Sequence, residues 1–436
     1  MAANPKYLLP YKIASSLAGL LGWPLFYRHL RSRGRGESFF PRLGLQLPAA
    51  PPPGSPRVWL HGVSVGEILA AVPLVQELKS LLPGAAFIIS TGTETGQALA
   101  RRLFAPQEAL VCYFPLDLPW AVNRYLDFLR PQVFIGLESE IWPNFLCAAH
   151  QRGVRLVLAN ARLSDQTFRR YVKYNKYVYD IINLYDLFIA GSSPDLARLQ
   201  LLGLSSDKLH FFGNLKLDRL LQSLDHKIVS TFSGLLNING APVFLAASTH
   251  PGEEELILEA YEKLRAPYPS LLLILAPRHP ERAAALGRLL SQYGLPFHFW
   301  QNLKSGRETR EHPVVLIDTI GDLFFLYGLA DIPFVGGSLV PHGGQNLLEP
   351  AAWGRVPLYG PHISNFRWAQ AILDEAGAGL MVKDAPSLAA AAQDLLNHPE
   401  YRHKLGAQAR AALTPHQGAA RRQAQLIVRM LAGGGG

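Results

Sequence analysis

The chain has 436 residues, 49% of them apolar and only 17% Asp, Glu, Lys or Arg. That composition fills large cores and excludes a disordered polyelectrolyte, and the length exceeds what one core usually supports, so two domains of about 200 residues are expected. A formal charge of +9 and a pI near 9.5 favour an anionic partner. No interleaved aromatic and basic motif accompanies that charge, which argues against nucleic acid. Cys112 and Cys147 are the only cysteines; they lack metal-ligand spacing and suit a reducing compartment.

Residues 1–45 are basic, and between Lys12 and Arg28 lies the uncharged run IASSLAGLLGWPLFY. This run is shorter than the roughly 20 apolar residues of a bilayer span, and Pro24 complicates a continuous helix. A membrane-associated helical segment is expected, its aromatic rings at a lipid interface and its arginines on an anionic inner-membrane surface. Docking of the segment on the protein itself is the alternative.

After the Pro-rich connector come RVWL, AAFIIS, QVFIGLE, RLVLAN and DLFIAG, separated by helical patterns at 67–80, 94–104 and 166–182. A second series, PVFLAAS, LLLILAP, VVLID, IPFVGG and VPLYG, alternates with its own helices. Strands alternating with helices predict α/β units with parallel sheets, here two Rossmann-like domains facing a central cleft. The expected divisions are an acceptor domain over 46–218, a connection over 219–240, a donor domain over 241–405, and a C-terminal helix with a glycine tail over 406–436.

Parallel sheets collect function beyond the carboxyl ends of their strands, so the turns there are the candidates. In HGVSVGE, Gly62 and Gly66 give close access, with Ser64 beside them, and Glu67 presents a carboxylate at a helix start. In a closed cleft Glu67 would suit proton abstraction; at a surface it is an ordinary N-terminal glutamate. STGTETG, with Thr93, offers hydroxyl and backbone donors but no Walker lysine. GLESEIWPN carries Glu138 and Glu140, too differently directed to be assumed a glycosidase pair, and Arg162 follows the next strand.

In the second series, Ser248, Thr249 and His250 precede a helix and Arg278 and His279 follow a strand, which together favour phosphate recognition. Gly336, Gly337, Ser338, Gly343 and Gly344 open room beside main-chain donors. Gln345, Asn346 and Glu349 can hydrogen-bond a sugar diol, a set suited to a nucleotide sugar. His342 and His362 are too sparse for zinc.

Taken in order, HGVSVGE, STGTETG, YFPLD, PQVFIGLESEIWPN, NARLS, GNLKLD, STHPGEEE, APRHPER, GGSLVPHGGQNLLEPAAWG and GPHISNF resemble the 3-deoxy-D-manno-octulosonic acid (Kdo) transferases of lipopolysaccharide assembly over nearly the whole chain. The resemblance implies a GT-B glycosyltransferase that moves Kdo from CMP-Kdo to a lipid A precursor, lipid IVA, at the cytoplasmic face of the inner membrane, with no cofactor and no divalent metal. It makes Glu67 the acceptor-activating base, with Ser64, Gly66, Thr93, Glu138 and Arg162 on the acceptor side. Ser248, Thr249, Arg278, His279, Gly337, Ser338, Gly344 and Asn346 fall on the donor side, and Glu349 resembles the ribose-binding glutamate. A noncatalytic nucleotide-sugar binder, or a transferase of another sugar, would keep the glycine turns.

Overall fold

The structure, a computed structural model, describes residues 8–32 and 36–433. The chain forms two compact units, one built from the residues through Arg219 together with those from His416, the other from Leu220–Pro415.

The first unit holds β1 (Arg57–His61), β2 (Ala86–Thr91), β3 (Leu110–Tyr113), β4 (Val133–Leu137), β5 (Arg155–Ala161), β6 (Leu187–Ala190) and β7 (Leu209–Phe211). They make one parallel sheet in the order 3-2-1-4-5-6-7. Alternation along β1 divides the core. Trp59 joins Phe114, Phe134 and Phe145 on one face, while Val58 and Leu60 meet Ile68, Leu74 and Leu78 on the other. That second face is completed by Ala420, Ala424 and Ile427 of the C-terminal helix Ala419–Gly433. Asp218, fully buried, anchors the return of the chain by accepting from the N–H groups of Gly418 and Ala420, both at 2.8 Å.

The second unit repeats the plan with β8 (Val243–Thr249), β9 (Leu272–Pro277), β10 (Phe297–Phe299), β11 (Val314–Leu316), β12 (Ile332–Val335), β13 (Leu358–Tyr359) and β14 (Leu380–Met381), in the order 10-11-9-8-12-13-14. Each sheet therefore reverses its winding once, at β1/β4 in the first unit and at β8/β12 in the second. The connections leave in opposite directions at such a point and open a crevice beyond the strand ends.

The N-terminal expectation needs correction. Residues Leu8–Ser32 form one helix that continues through Pro24, and it docks on the protein. Leu8 is buried, the Tyr11 hydroxyl donates to Asp117 at 3.0 Å, and the Asn144 side-chain amide donates to Ser15 at 3.1 Å. Among the described residues no helix is long and apolar enough to cross a membrane. Lys12 and Arg28 bound the uncharged run on both sides. The N-terminal membrane-associated segment and the location at the inner membrane through it are accordingly withdrawn.

Candidate active site

Both switch points carry the residues singled out in the sequence. In the first unit β1 ends at His61, and the helix Val65–Leu81 starts four residues later. Ser64 is its N-cap, and Glu67 falls at the third helical position, the S-x-x-E pattern of a capping box. The Glu67 carboxylate folds back accordingly. It accepts from the Val63 N–H at 2.7 Å and from the Ser64 hydroxyl at 2.8 Å. The residue is half-buried. Burial raises its proton affinity above that of an ordinary carboxylate, the Ser64 and Val63 donors oppose the rise, and the charges of Glu138 and Glu140 add to it.

The neighbours of Glu67 are themselves fixed. His61 is buried, with Nδ1 3.0 Å from the Ser90 hydroxyl and Nε2 3.1 Å from Glu140 Oε2, and its ring stacks on Phe114 at 4.0 Å. It is a satisfied structural histidine that holds Glu140 in place, and Trp142 Nε1 donates to the same carboxylate at 2.5 Å. Glu138 follows β4 in the left-handed region at φ 65° and pairs with Lys216 at 2.5 Å. Thr93 caps the helix Glu94–Phe104 and donates to the Val63 carbonyl at 3.0 Å, tying the second turn to the first. A Cβ on Gly66 would meet nothing closer than Ser64 Oγ at 3.9 Å, so this turn is open. Arg162 is exposed beyond β5, its N–H donating to the Glu138 carbonyl at 3.0 Å.

The second unit arranges its glycines differently from the expectation of free main-chain donors. The buried Glu253 carboxylate accepts from the N–H groups of Gly337 at 2.7 Å, Ser338 at 3.0 Å and Leu339 at 2.9 Å, and from His250 at 3.3 Å. An internal anion thus occupies the backbone concavity after β12. The Thr249 hydroxyl is likewise committed, donating to Glu254 at 2.9 Å, and Arg282 pairs with that same glutamate at 2.7 Å. Ser248, almost fully buried, takes a left-handed φ of 55°. Gly337 has φ 65°, and a Cβ there would lie 3.0 Å from the His250 ring, so glycine is required on both counts. Its carbonyl accepts from the N–H of Gly344 at 2.8 Å.

Around this rigid loop several groups remain available. Arg278 and His279 are exposed after β9. The His250 ring stacks on His342 at 4.3 Å, and its Nε2 is buried without a partner. Burial, followed by His342, His279, Arg282 and Arg278, lowers its pKa to about 4, so the ring is neutral near pH 7. Asn346 donates to Glu349 at 3.3 Å. The Glu349 carboxyl is lodged in protein although the residue keeps some exposure, and burial raises its pKa to about 7, with Asn346 and then Arg278 opposing. Arg278, His250, His342 and Glu349 thus share one electrostatic neighbourhood.

Sequence reasoning passed over Glu253, Lys216 and the hydrogen bonds that hold Glu67 to Ser64 and Val63 at the helix start. GEEE marked a helix start but not which glutamate turns inward, whereas SVGE carried the capping signal openly.

Residues 37–219 match the family model described as 3-deoxy-D-manno-octulosonic-acid transferase (kdotransferase). The 3-deoxy-D-manno-octulosonic acid transferase of Haemophilus influenzae is 35% identical over 382 residues, covering 87% of this chain and 88% of that protein. The chain belongs to the Kdo transferase family. The corresponding transferase of Bordetella pertussis is also 35% identical, over 414 residues, 93% of this chain and 95% of its own length. Like its family, the transferase is an enzyme of lipopolysaccharide biosynthesis that uses CMP-Kdo and a lipid A precursor. Among solved structures, UDP-GlcNAc 2-epimerase from Neisseria meningitidis bound to UDP-GlcNAc covers 86% of this chain and 99% of its own at a TM-score of 0.57 and 17% identity. That likeness concerns the fold alone, a GT-B-like pair of α/β sheets.

Proposed function

We propose that transfer is direct and inverting, with lipid IVA as the acceptor and Glu67 as the base. The acceptor hydroxyl oxygen bonds to C2 of Kdo and its proton passes to the Glu67 carboxylate. The bond from C2 to the phosphate oxygen breaks, and CMP leaves with the electron pair. Negative charge grows on the departing phosphate, where the Arg278 guanidinium offsets it. Ser64 and the Val63 N–H aim the Glu67 carboxylate, while Thr93, Gly66, Glu138 and Arg162 shape the acceptor side. Glu349 and Asn346 take the ribose of the donor. His279, Ser248, Thr249, Gly337, Ser338 and Gly344 form the wall behind its phosphate, a wall stiffened by Glu253. Among the described residues no group of three or more His, Cys, Asp or Glu is placed to hold a metal, and the step as written uses none.

One observation carries this reading: Glu67 is a half-buried carboxylate at the β1/β4 switch point whose proton affinity is raised by burial and by two further carboxylates. The test is transfer from CMP-Kdo to lipid IVA, followed by product mass, for the parent protein and Glu67→Gln. The amide keeps the capping contact to Val63 through its oxygen. Loss of transfer with an unchanged Kd for CMP supports the base. Retained transfer removes it and leaves Glu67 a helix cap.

A further inference from the structure

The transfer chemistry leaves a cavity of the first unit unused. It has a volume of about 310 Å³ and is lined by Leu8, Tyr11, Ile141, Tyr171, Tyr177 and Ile181, among others. These come from the helices Leu8–Ser32, Asp165–Lys173 and Asn175–Ile182 and from the segment after β4. The polar end of Tyr11 is already committed to Asp117 at 3.0 Å. A wall of this kind offers little to a polar ligand, which would lose hydrogen bonds to water on entry. An apolar chain fits it.

The helix Asp165–Lys173 that supplies Tyr171 to this cavity has a different opposite face. Arg169 and Arg170, each about one helical turn before Lys173, line a shallow open concavity with it and with Asp165 and Gln166. The acid of that helix, Asp165, is engaged by Arg198. Among the described residues no carboxylate is recorded in ion-pair contact with Arg169, Arg170 or Lys173. One nine-residue helix therefore carries an apolar cavity wall on one side and three cations without ion-paired carboxylates on the other. Ile141 and Tyr171 also line a smaller recess with Glu138 and Arg162, and Glu138 acts electrostatically on Glu67.

We propose that this helix and cavity bind the acceptor as an amphiphile, with one acyl chain in the cavity and a phosphate on Arg169, Arg170 and Lys173. The inference rests on the acceptor being a lipid A precursor, and it assigns that acceptor's two chemistries to two sides of one helix. Guanidinium pairs bind phosphate bidentately, which fixes the orientation of the sugar relative to the chain.

The experiment measures acceptor KM below the critical micelle concentration for phosphorylated acceptors of increasing acyl length, each with a deacylated and a dephosphorylated counterpart. For the parent protein KM is expected to fall about fourfold per methylene and then level once the cavity is full. Val178 also lines the cavity, and Val178→Trp is expected to raise KM for the acylated acceptor toward that of the deacylated one. Arg169→Ala with Arg170→Ala is expected to raise KM about tenfold for the phosphorylated acceptor and to leave that for the dephosphorylated one unchanged. Melting temperature and KM for CMP-Kdo report folding of both variants, and the length series on the parent protein decides by itself if Val178→Trp does not fold. KM independent of acyl length, or equal losses with phosphorylated and dephosphorylated acceptors, overturns the proposal. Absence of transfer to every acceptor is a different result and strikes at the proposed reaction itself.

Discussion

Glu349 offers a test in which pH replaces mutation as the perturbation. Its pKa of about 7 means that near neutrality the free protein is divided between a carboxylate, which can accept two ribose hydroxyls, and a carboxylic acid, which can accept them only poorly. If only the carboxylate binds the donor, the apparent KM is the intrinsic value divided by the ionised fraction. That fraction rises from roughly one tenth at pH 6 to nine tenths at pH 8, so KM for CMP-Kdo should fall about tenfold across this interval. The donor phosphate is a diester and does not titrate there. In Glu349→Gln the dependence should vanish, with KM at every pH near or above the acidic value of the parent. The same group makes a stability statement of defined sign. Its folded pKa exceeds the ordinary 4.5, so the folded state holds the extra proton between about 4.5 and 7, and stability declines as pH rises through that window. Glu349→Gln should therefore gain stability at pH 8, by up to a few kcal/mol, and gain little at pH 5. A KM for CMP-Kdo that is flat from pH 6 to 8, or a slope that survives in the glutamine variant, refutes the assignment of Glu349 to the donor.

Glu253→Gln places an amide NH2 against N–H donors of the loop Gly337–Leu339, which should lower stability by about 3 kcal/mol and raise KM for CMP-Kdo; urea unfolding and kinetics check both. Lys216→Met leaves the Glu138 carboxylate without its partner at 2.5 Å, so the proton affinity of Glu67 should rise. The acid limb of the kcat/KM profile should then move upward by ~0.5 pH unit, and an unmoved limb would separate Glu138 from the chemistry. Asp218→Ala strands the buried N–H groups of Gly418 and Ala420 and should lower the unfolding free energy by roughly 2 kcal/mol without changing either KM.

Long apolar runs bounded by turn residues were legible as strands: RVWL, RLVLAN, PVFLAAS and LLLILAP all lie in the sheets where the alternation predicts. The short strands β7, β10 and β14 were not, whereas the equally short β11 and β13 were, because VVLID and VPLYG stand out as apolar runs. The 166–182 pattern reads as one helix, whereas the chain breaks at Tyr174, where φ −111° and ψ 25° leave the helical region and let the second half turn. Glu67 was legible as a carboxylate at a turn because glycines and a strand end bracket it. The environment that raises its proton affinity was not, since Glu138 and Glu140 lie more than 70 residues away in sequence. The inward turn of Glu253 was hidden for a similar reason: its partners Gly337 to Leu339 follow a strand that only the folded sheet brings beside β8.

The helix Ala419–Gly433 has a consequence for biosynthesis. It covers Ile68, Leu74 and Leu78 of the first unit, yet it leaves the ribosome after every residue of the second. The first unit's sheet can form early, but part of one face, with the outer side of the helix Val65–Leu81, stays uncovered until residues 419–433 emerge. Meanwhile the second unit, a continuous stretch of chain, can fold on schedule inside an unfinished host. A nascent chain stalled before Ala419 should accordingly recruit holdase chaperones through that uncovered face, and release should coincide with emergence of the helix Ala419–Gly433.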